Sequence, residues 1–305
     1  MLGIGHVGAA AVPEEHGAQW RRIAGVSAGA IVGSLLAAGA SANDLHGLLG
    51  QLDYAQFLDK DALDKVPILG PVLSVVLENG YAAGTKLHDF LAAQLKTHGV
   101  ETFGDLRITD DPGADPRPEH RWRLTVLAAD VTRGQLLRLP QDYERYGLDP
   151  DQQSVADAVR ASTAVPYLYE PFTLRYPGGE SLLVDGGLVS NYPMDIFDRT
   201  DNRERRWETI GVTLLPQLPA GDTRLVPSLK LVSNVPGVRF LESVLVTAVV
   251  GHDQGYLAQP WVQQRSIEVD SLGVQPFDFG ITTATAEQLY QSGRTAATHF
   301  LTPPQ

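Results

Sequence analysis

Hydrophobic positions along the chain follow two patterns, one typical of helices and one typical of buried strands. Four large apolar residues recur at i, i+3, i+4 and i+8, which predicts an amphipathic helix beginning at Thr85: Leu87, Phe90, Leu91 and Leu95. Short apolar runs predict buried strands over Trp20–Ala24, Trp122–Asp130, Ser181–Asp185, Ile210–Leu215 and Arg265–Val269. Because helices and strands alternate, the pattern predicts an α/β fold with a mainly parallel central sheet covered on both faces.

Capping residues set the expected limits of the helices. The remaining predicted helices are Ala28–Ala38 closed by Gly39, Asn43–Leu52 capped by Ser41, one opened by Ser154, one over Val238–Val250, and a last one capped by Thr283 or Thr285 and reaching Phe300. Residues 3–12 predict a glycine-rich turn that runs into a helix ending near Gly17. We find neither internal repeats nor linkers, so we expect a single domain over residues 1–305.

The structural role of two apolar segments has more than one interpretation. Residues 54–77 are apolar but interrupted by proline and glycine, and they serve either as ordinary core or as an apolar flap beside a site. The same choice between core and membrane contact applies to residues 238–250. Neither segment contains an uncharged run near the roughly 20 residues that a membrane-spanning helix needs, so we expect no transmembrane segment.

Composition and charge narrow the function classes. The chain carries 24 Lys+Arg against 36 Asp+Glu, a net charge of −12, which argues against nucleic-acid binding and against charge-driven docking on anionic lipid. It has no cysteine, which excludes disulfides and thiol nucleophiles. Residues 3–8 match the dinucleotide pattern G-x-G-x-x-G, but no strand precedes them, so we expect no nucleotide and no other cofactor. A secretory leader is not visible, and we expect a cytoplasmic protein.

A candidate nucleophile lies between the first predicted strand and the helix after it. Residues 25–29 read Gly-Val-Ser-Ala-Gly, the G-x-S-x-G pattern, with Ser27 at the apex. A strand that turns directly into a helix strains its apical residue, and small neighbours on either side let the two elements approach. The turn also exposes the serine hydroxyl at a helix N-terminus, where free N–H groups favour developing negative charge.

A serine nucleophile needs a base, and the sequence offers two kinds. The order Ser…Asp…His of classical hydrolases nominates Ser27, Asp185 and His252, although His252 falls in a predicted helix rather than in a loop after a strand. Asp185 alone is the other choice. It ends an apolar strand, glycines follow it, and an apolar environment raises the pKa of a carboxyl toward neutrality.

Two motifs together resemble the patatin-like phospholipases. They are Gly25–Gly29 and, much later, Asp185-Gly186-Gly187 followed by residues 188–193; the segment Ala158–Ser162 before Pro166 and Pro171 is similar to the family as well. The resemblance extends from Gly3 to about Leu301. It implies a three-layer α/β/α sandwich and hydrolysis of lipid acyl esters by a Ser–Asp dyad without histidine. It makes Ser27 the nucleophile and Asp185 the general base, with oxyanion and turn roles for Gly3, Gly25, Ala28, Gly29, Gly186 and Gly187.

The front of the chain departs from this family. Members have a first strand and then a loop G-G-G-x-[K/R]-G whose N–H groups form the oxyanion hole, and Gly3 aligns with the last glycine of that loop. Loss of one oxyanion donor costs roughly 3–4 kcal/mol, and loss of the strand leaves its neighbour with an open edge. We expect a longer native protein that supplies both parts.

Three hypotheses follow. The first is a serine acyl hydrolase of the phospholipase A or lipase kind, acting on lipid or phospholipid esters, peripherally at a membrane surface. The second is a catalytically impaired lipid- or protein-binding relative that lacks the oxyanion loop. The third is a Ser-Asp-His esterase that uses His252.

Overall fold

The fold is a mixed α/β arrangement, seen in a computed structural model that describes residues 2–57, 82–109, 111, 120–166, 168–190, 192–201, 203–215, 256–275 and 278–302. In chain order the helices and strands are α1 (Gly3–Glu15), β1 (Ile23–Val26), α2 (Ala28–Ala38), α3 (Ala42–Leu49), α4 (Thr85–Thr97), β2 (Leu124–Asp130), β3 (Gln135–Leu139), α5 (Val155–Ser162), β4 (Phe172–Tyr176), β5 (Gly179–Asp185), β6 (Gly211–Leu215), α6 (Pro260–Gln263), β7 (Ser266–Asp270) and α7 (Thr283–Leu301). The predicted combination of sheet and helices is confirmed. The predicted helix over 238–250 and most of the segment 54–77 lie outside the described residues.

The main sheet is built around β2, whose seven residues are all buried. Strand β1 pairs with β2 in parallel, whereas β3 and β5 pair with it antiparallel and β4 pairs antiparallel with β5. A separate parallel pair is formed by β6 and β7. The expectation of parallel pairing therefore holds for β1–β2 and β6–β7, while the hairpin-like strands β3, β4 and β5 make the sheet mixed.

One edge of β2 is shared by two strands end to end. Strand β3 occupies one edge along Val126–Asp130, so the overlapping partners must lie on the other edge. On that edge, β1 pairs with β2 up to Leu127. Strand β5 runs in the opposite direction and pairs with β2 from Asp130 back to Ala128. The carboxyl ends of β1 and β5 therefore meet head-on beside Ala128.

Helix α1 corrects the prediction for the first residues. The expected glycine-rich turn is wrong, because Gly3 to Glu15 form one continuous helix. The glycines serve close packing against α7: a Cβ on Gly8 would lie 2.0 Å from the Tyr290 carbonyl oxygen, and one on Gly293 would lie 2.1 Å from that of Gly5. Backbone contact of this kind requires the absence of side chains at both positions.

The predicted caps mostly hold. Ser41 accepts a hydrogen bond from the Asp44 N–H in a full capping box, and Ser154 accepts one from the Asp157 N–H. The last helix differs, since its N-cap is Thr282, which accepts from the Thr285 N–H; Thr283 and Thr285 both lie inside the helix. Over the described ranges, none of the helices combines the length and the hydropathy that crossing a bilayer would require.

Candidate active site

Ser27 lies at a strained turn between β1 and α2. Its backbone has φ 52° and ψ −124°, a region that non-glycine residues rarely adopt. The strand and the helix approach so closely here that a Cβ on Gly25 would lie 2.5 Å from the Gly29 carbonyl oxygen. The predicted need for small residues on either side of the serine is therefore met by direct backbone contact.

A second serine bridges the break that this turn makes in the β1–β2 ladder. The Ser27 N–H donates to Ser162 Oγ over 3.0 Å, and Ser162 Oγ donates to the Leu127 carbonyl oxygen over 2.6 Å. The register pairs Val26 with Leu127, so the direct rung from Ser27 would go to that same carbonyl. The fully buried Ser162 hydroxyl takes the place of this rung and holds the turn while the chain leaves the sheet.

Asp185 reaches the same place from the other direction. It pairs with Ala128 at the end of β5, and Ala128 is the residue of β2 that follows the partner of Val26. The sequence analysis expected a mainly parallel sheet, and for the strand that carries Asp185 this expectation is wrong. β5 is antiparallel to β2, and Asp185 meets Ser27 because β1 and β5 end against each other.

The Asp185 carboxylate is buried, and its surroundings change its acidity. Its Oδ1 accepts a 2.8 Å hydrogen bond from the Gly187 N–H. Burial raises its pKa from 3.8 to about 6, while hydrogen bonding from the Ser27 side chain and from Gly187 lowers it in part. Within the described residues, Oδ2 has no partner at full hydrogen-bond geometry. The Ser27 hydroxyl is therefore close enough to the carboxylate to lower its pKa, although no hydrogen bond of full geometry joins the two groups.

The other predicted turn residues surround this pair. A Cβ on Gly186 would lie 2.5 Å from the Leu127 carbonyl oxygen, so the turn after Asp185 packs directly on β2. Gly3, at the amino end of α1, lies near Ala28: its Cβ position is 3.6 Å from the Ala28 carbonyl oxygen. The N–H groups of Ala28 and Gly29 belong to the first turn of α2, which has no intrahelical acceptors for them.

Two histidines bear on the choice of base, one outside the described residues and one close to the turn. His252 lies outside the described residues, so the Ser-Asp-His hypothesis stays a prediction. His6, to which the sequence analysis gave no role, lies on α1 with its Nε2 4.0 Å from the Cβ position of Gly29. Burial lowers the pKa of His6 to about 4, so its imidazole is neutral at neutral pH.

Sequence reasoning noted Ser162 only within a family-like segment and did not assign it a function. The signal available was slight: a small polar residue at the end of a predicted helix, 23 positions before the candidate aspartate. Its contacts with Ser27 and Leu127 join residues distant in the chain. Spacing alone carries no information about such contacts.

The arrangement can support nucleophilic chemistry. A serine hydroxyl on a strained turn lies beside a buried carboxylate whose pKa is about 6, and that carboxylate is ionised at neutral pH. The free N–H groups at the start of α2 lie on the same turn as the hydroxyl and favour negative charge there.

Comparison with known proteins shows the family to which the chain belongs. The family model of patatin-like phospholipases matches residues 1–198. The chain is 31% identical over 302 residues to the uncharacterized protein YqhO of Bacillus subtilis (strain 168), an alignment that covers 99% of this chain and 94% of YqhO. Among solved structures, VipD from Legionella pneumophila is similar in fold, with a TM-score of 0.51, 16% identity and coverage of 98% of this chain but 64% of VipD. The chain belongs to the patatin-like phospholipase family.

Proposed function

We propose that this protein hydrolyses acyl esters of lipids or phospholipids with Ser27 as nucleophile and Asp185 as general base. The observation that carries the proposal is the meeting of the Ser27 hydroxyl with a buried carboxylate of raised pKa. Membership of a phospholipase family supports lipid esters as the substrate class. We place the reaction at a membrane surface to which the protein binds peripherally from the cytoplasm.

The reaction proceeds in two halves. Asp185 takes the Ser27 proton while Oγ bonds to the ester carbonyl carbon, and the negative charge moves to the carbonyl oxygen. The tetrahedral intermediate collapses, the ester C–O bond breaks, and Asp185 returns the proton to the leaving alcohol. Asp185 then removes a proton from a water molecule, whose oxygen bonds to the acyl carbon. As the acyl C–Oγ bond breaks, Asp185 returns this proton to Ser27 Oγ, which frees Ser27 and the fatty acid.

The first turn of α2 supplies stabilisation of the charged oxygen. The Ala30 and Ile31 N–H groups both point to the Ser27 carbonyl oxygen, so they are occupied by the helix. This leaves Ala28 and Gly29 as the donors of that turn that remain available. Each donor of this type contributes roughly 3 kcal/mol to the transition state.

A substitution series tests the dyad. Ser27→Ala and Asp185→Asn should each lower kcat by roughly 10³-fold or more on p-nitrophenyl esters and on phospholipid vesicles. The matched control is Ser34→Ala, because Ser34 is a buried serine of helix α2 whose hydroxyl donates to the Ile31 carbonyl oxygen of the same helix. Ser34→Ala should retain activity within a few-fold. Activity that survives both Ser27→Ala and Asp185→Asn would contradict the proposal.

The histidine alternative is tested in the same assay. His252→Ala and His6→Gln remove the base that a triad would need, whereas the dyad requires neither. Retention of kcat in both folded variants supports the dyad, and a loss comparable to that of Ser27→Ala in either one identifies a histidine base. If every variant and the parent chain are inactive while lipid binding is measurable, the second hypothesis of an impaired lipid-binding relative holds.

A further inference from the structure

The chain at the end of helix α5 holds the backbones of both members of the dyad. Ser162 Oγ accepts a hydrogen bond from the Ser27 N–H over 3.0 Å. Two residues later, the Ala164 carbonyl oxygen accepts one from the Asp185 N–H over 2.9 Å. Strands β1 and β5, which carry the dyad, both pair with β2 and not with each other in the described sheet. The placement of Ser27 relative to Asp185 therefore depends on residues 162–164 as well as on β2.

Arg160 joins this part of α5 to two other backbone segments. Arg160 is only 5% exposed. Its Nε and Nη2 donate to the Ala83 carbonyl oxygen over 3.2 and 2.6 Å, and Nη2 also donates to the Glu170 carbonyl oxygen over 2.8 Å. The guanidinium carbon lies 5.2 Å from the centre of the Tyr169 ring. One side chain thus connects α5 with the residue before Gly84 and with the chain that follows α5.

The two segments that Arg160 contacts are also bonded to each other. The Ala82 N–H donates to the Leu168 carbonyl oxygen over 3.0 Å, and the Glu170 N–H donates to the Ala82 carbonyl oxygen over 2.9 Å. These bonds form a short parallel bridge between Ala82 and Tyr169. Arg160 lies before residues 162–164 in the chain and the bridge lies after them. The contacts of Arg160 therefore fix the chain on both sides of the residues that hold the dyad.

Gly84 shows how closely the backbone fits around the Arg160 side chain. Gly84 has a φ of 73°, and a Cβ at this position would lie 2.2 Å from Arg160 Nε. A methyl group there would displace the guanidinium from the Ala83 carbonyl oxygen. Gly99, at the other end of helix α4, has the same φ of 73°, but nothing lies within 4 Å of its Cβ position. The two glycines therefore share a backbone conformation and differ in their contact with Arg160.

The contact depends on the shape of a guanidinium. Its planar fork donates from Nε and Nη2 in fixed directions and so can bind carbonyl oxygens of two segments at once. A carbonyl oxygen that loses such a donor in a buried place must move to find another partner or stay unpaired. Loss of the Arg160 guanidinium should therefore allow both segments, and residues 162–164 between them, to shift.

We propose that Arg160 is a positioning residue for the Ser27–Asp185 pair, acting through the turn that binds both backbones. This inference rests on the proposed function, because it assigns Arg160 a role in the same reaction. Arg160 takes no part in the chemistry and acts only through Ser162 and Ala164. A displacement of a catalytic group by about 1 Å can cost on the order of 100-fold in rate. The effect should therefore appear in kcat rather than in KM.

Four single variants of the full 305-residue chain separate positioning from a purely structural role. Gly84→Ala displaces the guanidinium and Arg160→Met removes it, and each should lower kcat on a p-nitrophenyl ester by roughly 10–100-fold with KM within about twofold. Gly99→Ala is the control for backbone strain. Arg265→Met is the control for loss of a largely buried arginine, since Arg265 Nε donates to the Thr209 carbonyl oxygen. Both controls should keep kcat within about threefold.

A double variant tests whether Gly84 acts through Arg160. In the Arg160→Met background there is no guanidinium for the new methyl group to displace, so Gly84→Ala should lower kcat by less than about threefold. Independent effects would instead multiply. Circular dichroism confirms that each variant is folded under the assay conditions. Multiplied losses, or equal losses of kcat in Gly84→Ala and Gly99→Ala, would overturn the role of Arg160.

A measurement without turnover separates failure of this inference from failure of the proposed function. Because the buried Asp185 has a pKa of about 6, Asp185→Asn should raise Tm more at pH 8 than at pH 4. In the Gly84→Ala background this pH difference should shrink by at least half, since a displaced carboxylate is better hydrated, whereas Gly99→Ala should preserve it. An undiminished difference overturns the role of Arg160. Activity that survives both Ser27→Ala and Asp185→Asn contradicts the proposed function, and the Tm comparison then decides on Arg160 by itself.

Discussion

Ser162 Oγ lies between the Ser27 N–H and the Leu127 carbonyl, accepting from the first over 3.0 Å and donating to the second over 2.6 Å. This hydroxyl replaces a rung of the β1–β2 ladder at the residue where the chain leaves the sheet. The strained backbone of Ser27 persists because the contacts around it over-determine its position. Ser162 is therefore a positioning residue for the proposed nucleophile.

Replacement of this bridge should affect turnover more than substrate binding. We expect Ser162→Ala to lower kcat by roughly 10–100-fold with KM nearly unchanged, because Ser27 is then held less accurately. The unpaired Leu127 carbonyl and Ser27 N–H should cost about 1–3 kcal/mol of stability. Steady-state kinetics and thermal melts check both. Ser162→Thr keeps the hydroxyl and should restore much of kcat, and a Thr variant as slow as the Ala variant contradicts the bridge.

The strain at Ser27 should be visible in stability. Ser27→Gly removes the Cβ that makes φ 52° unfavourable, whereas Ser27→Ala keeps it. We expect the Gly variant to exceed the Ala variant in free energy of unfolding by about 1–3 kcal/mol, although both lack activity. Urea denaturation of the two variants measures the difference, and equal midpoints would show that the turn is not strained.

The raised pKa of Asp185 predicts a stability change that depends on pH. In the folded protein its pKa is about 6 against 3.8 ordinarily, so the folded state holds the proton more tightly than the unfolded state. The cost of the buried charge is absent below pH 4, grows between pH 4 and 6, and is complete above pH 6. Asp185→Asn should therefore stabilise the protein by up to ~3 kcal/mol at pH 8 and by little at pH 4. Melting curves at both pH values check this, and equal gains at the two contradict it.

The Asp185 carboxyl should also determine the pH at which activity falls on the acidic side of the pH–activity profile. Because the base must be ionised, kcat/KM should fall about tenfold per pH unit below about pH 6. A pH–rate profile on a neutral ester measures this limb, with circular dichroism at each pH as the control for unfolding. A limb near pH 4 in a folded enzyme would argue that Asp185 is not the base.

Close packing at the Ser27 turn predicts that alanine is not tolerated at Gly25. Gly25→Ala places a methyl group 2.5 Å from the Gly29 carbonyl oxygen and should cost about 1–3 kcal/mol as well as most activity. Gly47 in α3 is the matched control, because nothing lies within 4 Å of its Cβ position. Gly47→Ala should stabilise the protein by about 0.5–1 kcal/mol. Chemical denaturation compares the pair, and a tolerated Gly25→Ala would contradict the close contact.

Interactions between near neighbours in the sequence were sufficient to predict several local features of the fold. The caps at Ser41 and Ser154 were predicted because a side-chain oxygen satisfies N–H groups two or three residues away. The strained serine followed from the small residues around it, since strand and helix must touch at such a turn. Residues 3–8 show the opposite case: their glycines indicated a turn, but they allow α1 to contact α7, almost 290 positions later.

The sequence by itself determined that Ser27 occupies a sharp strand–helix turn and that Asp185 ends an apolar strand, because both properties depend on near neighbours in the chain. Only the tertiary structure decided that β5 runs antiparallel to β2 and meets β1 head-on, and that Ser162 bridges the broken rung. The contact of Ser27 with Ser162 and the meeting of β1 with β5 join segments more than 100 residues apart. They depend on which strand pairs with each edge of β2, and the choice of pairing partner leaves no periodic signal in the sequence.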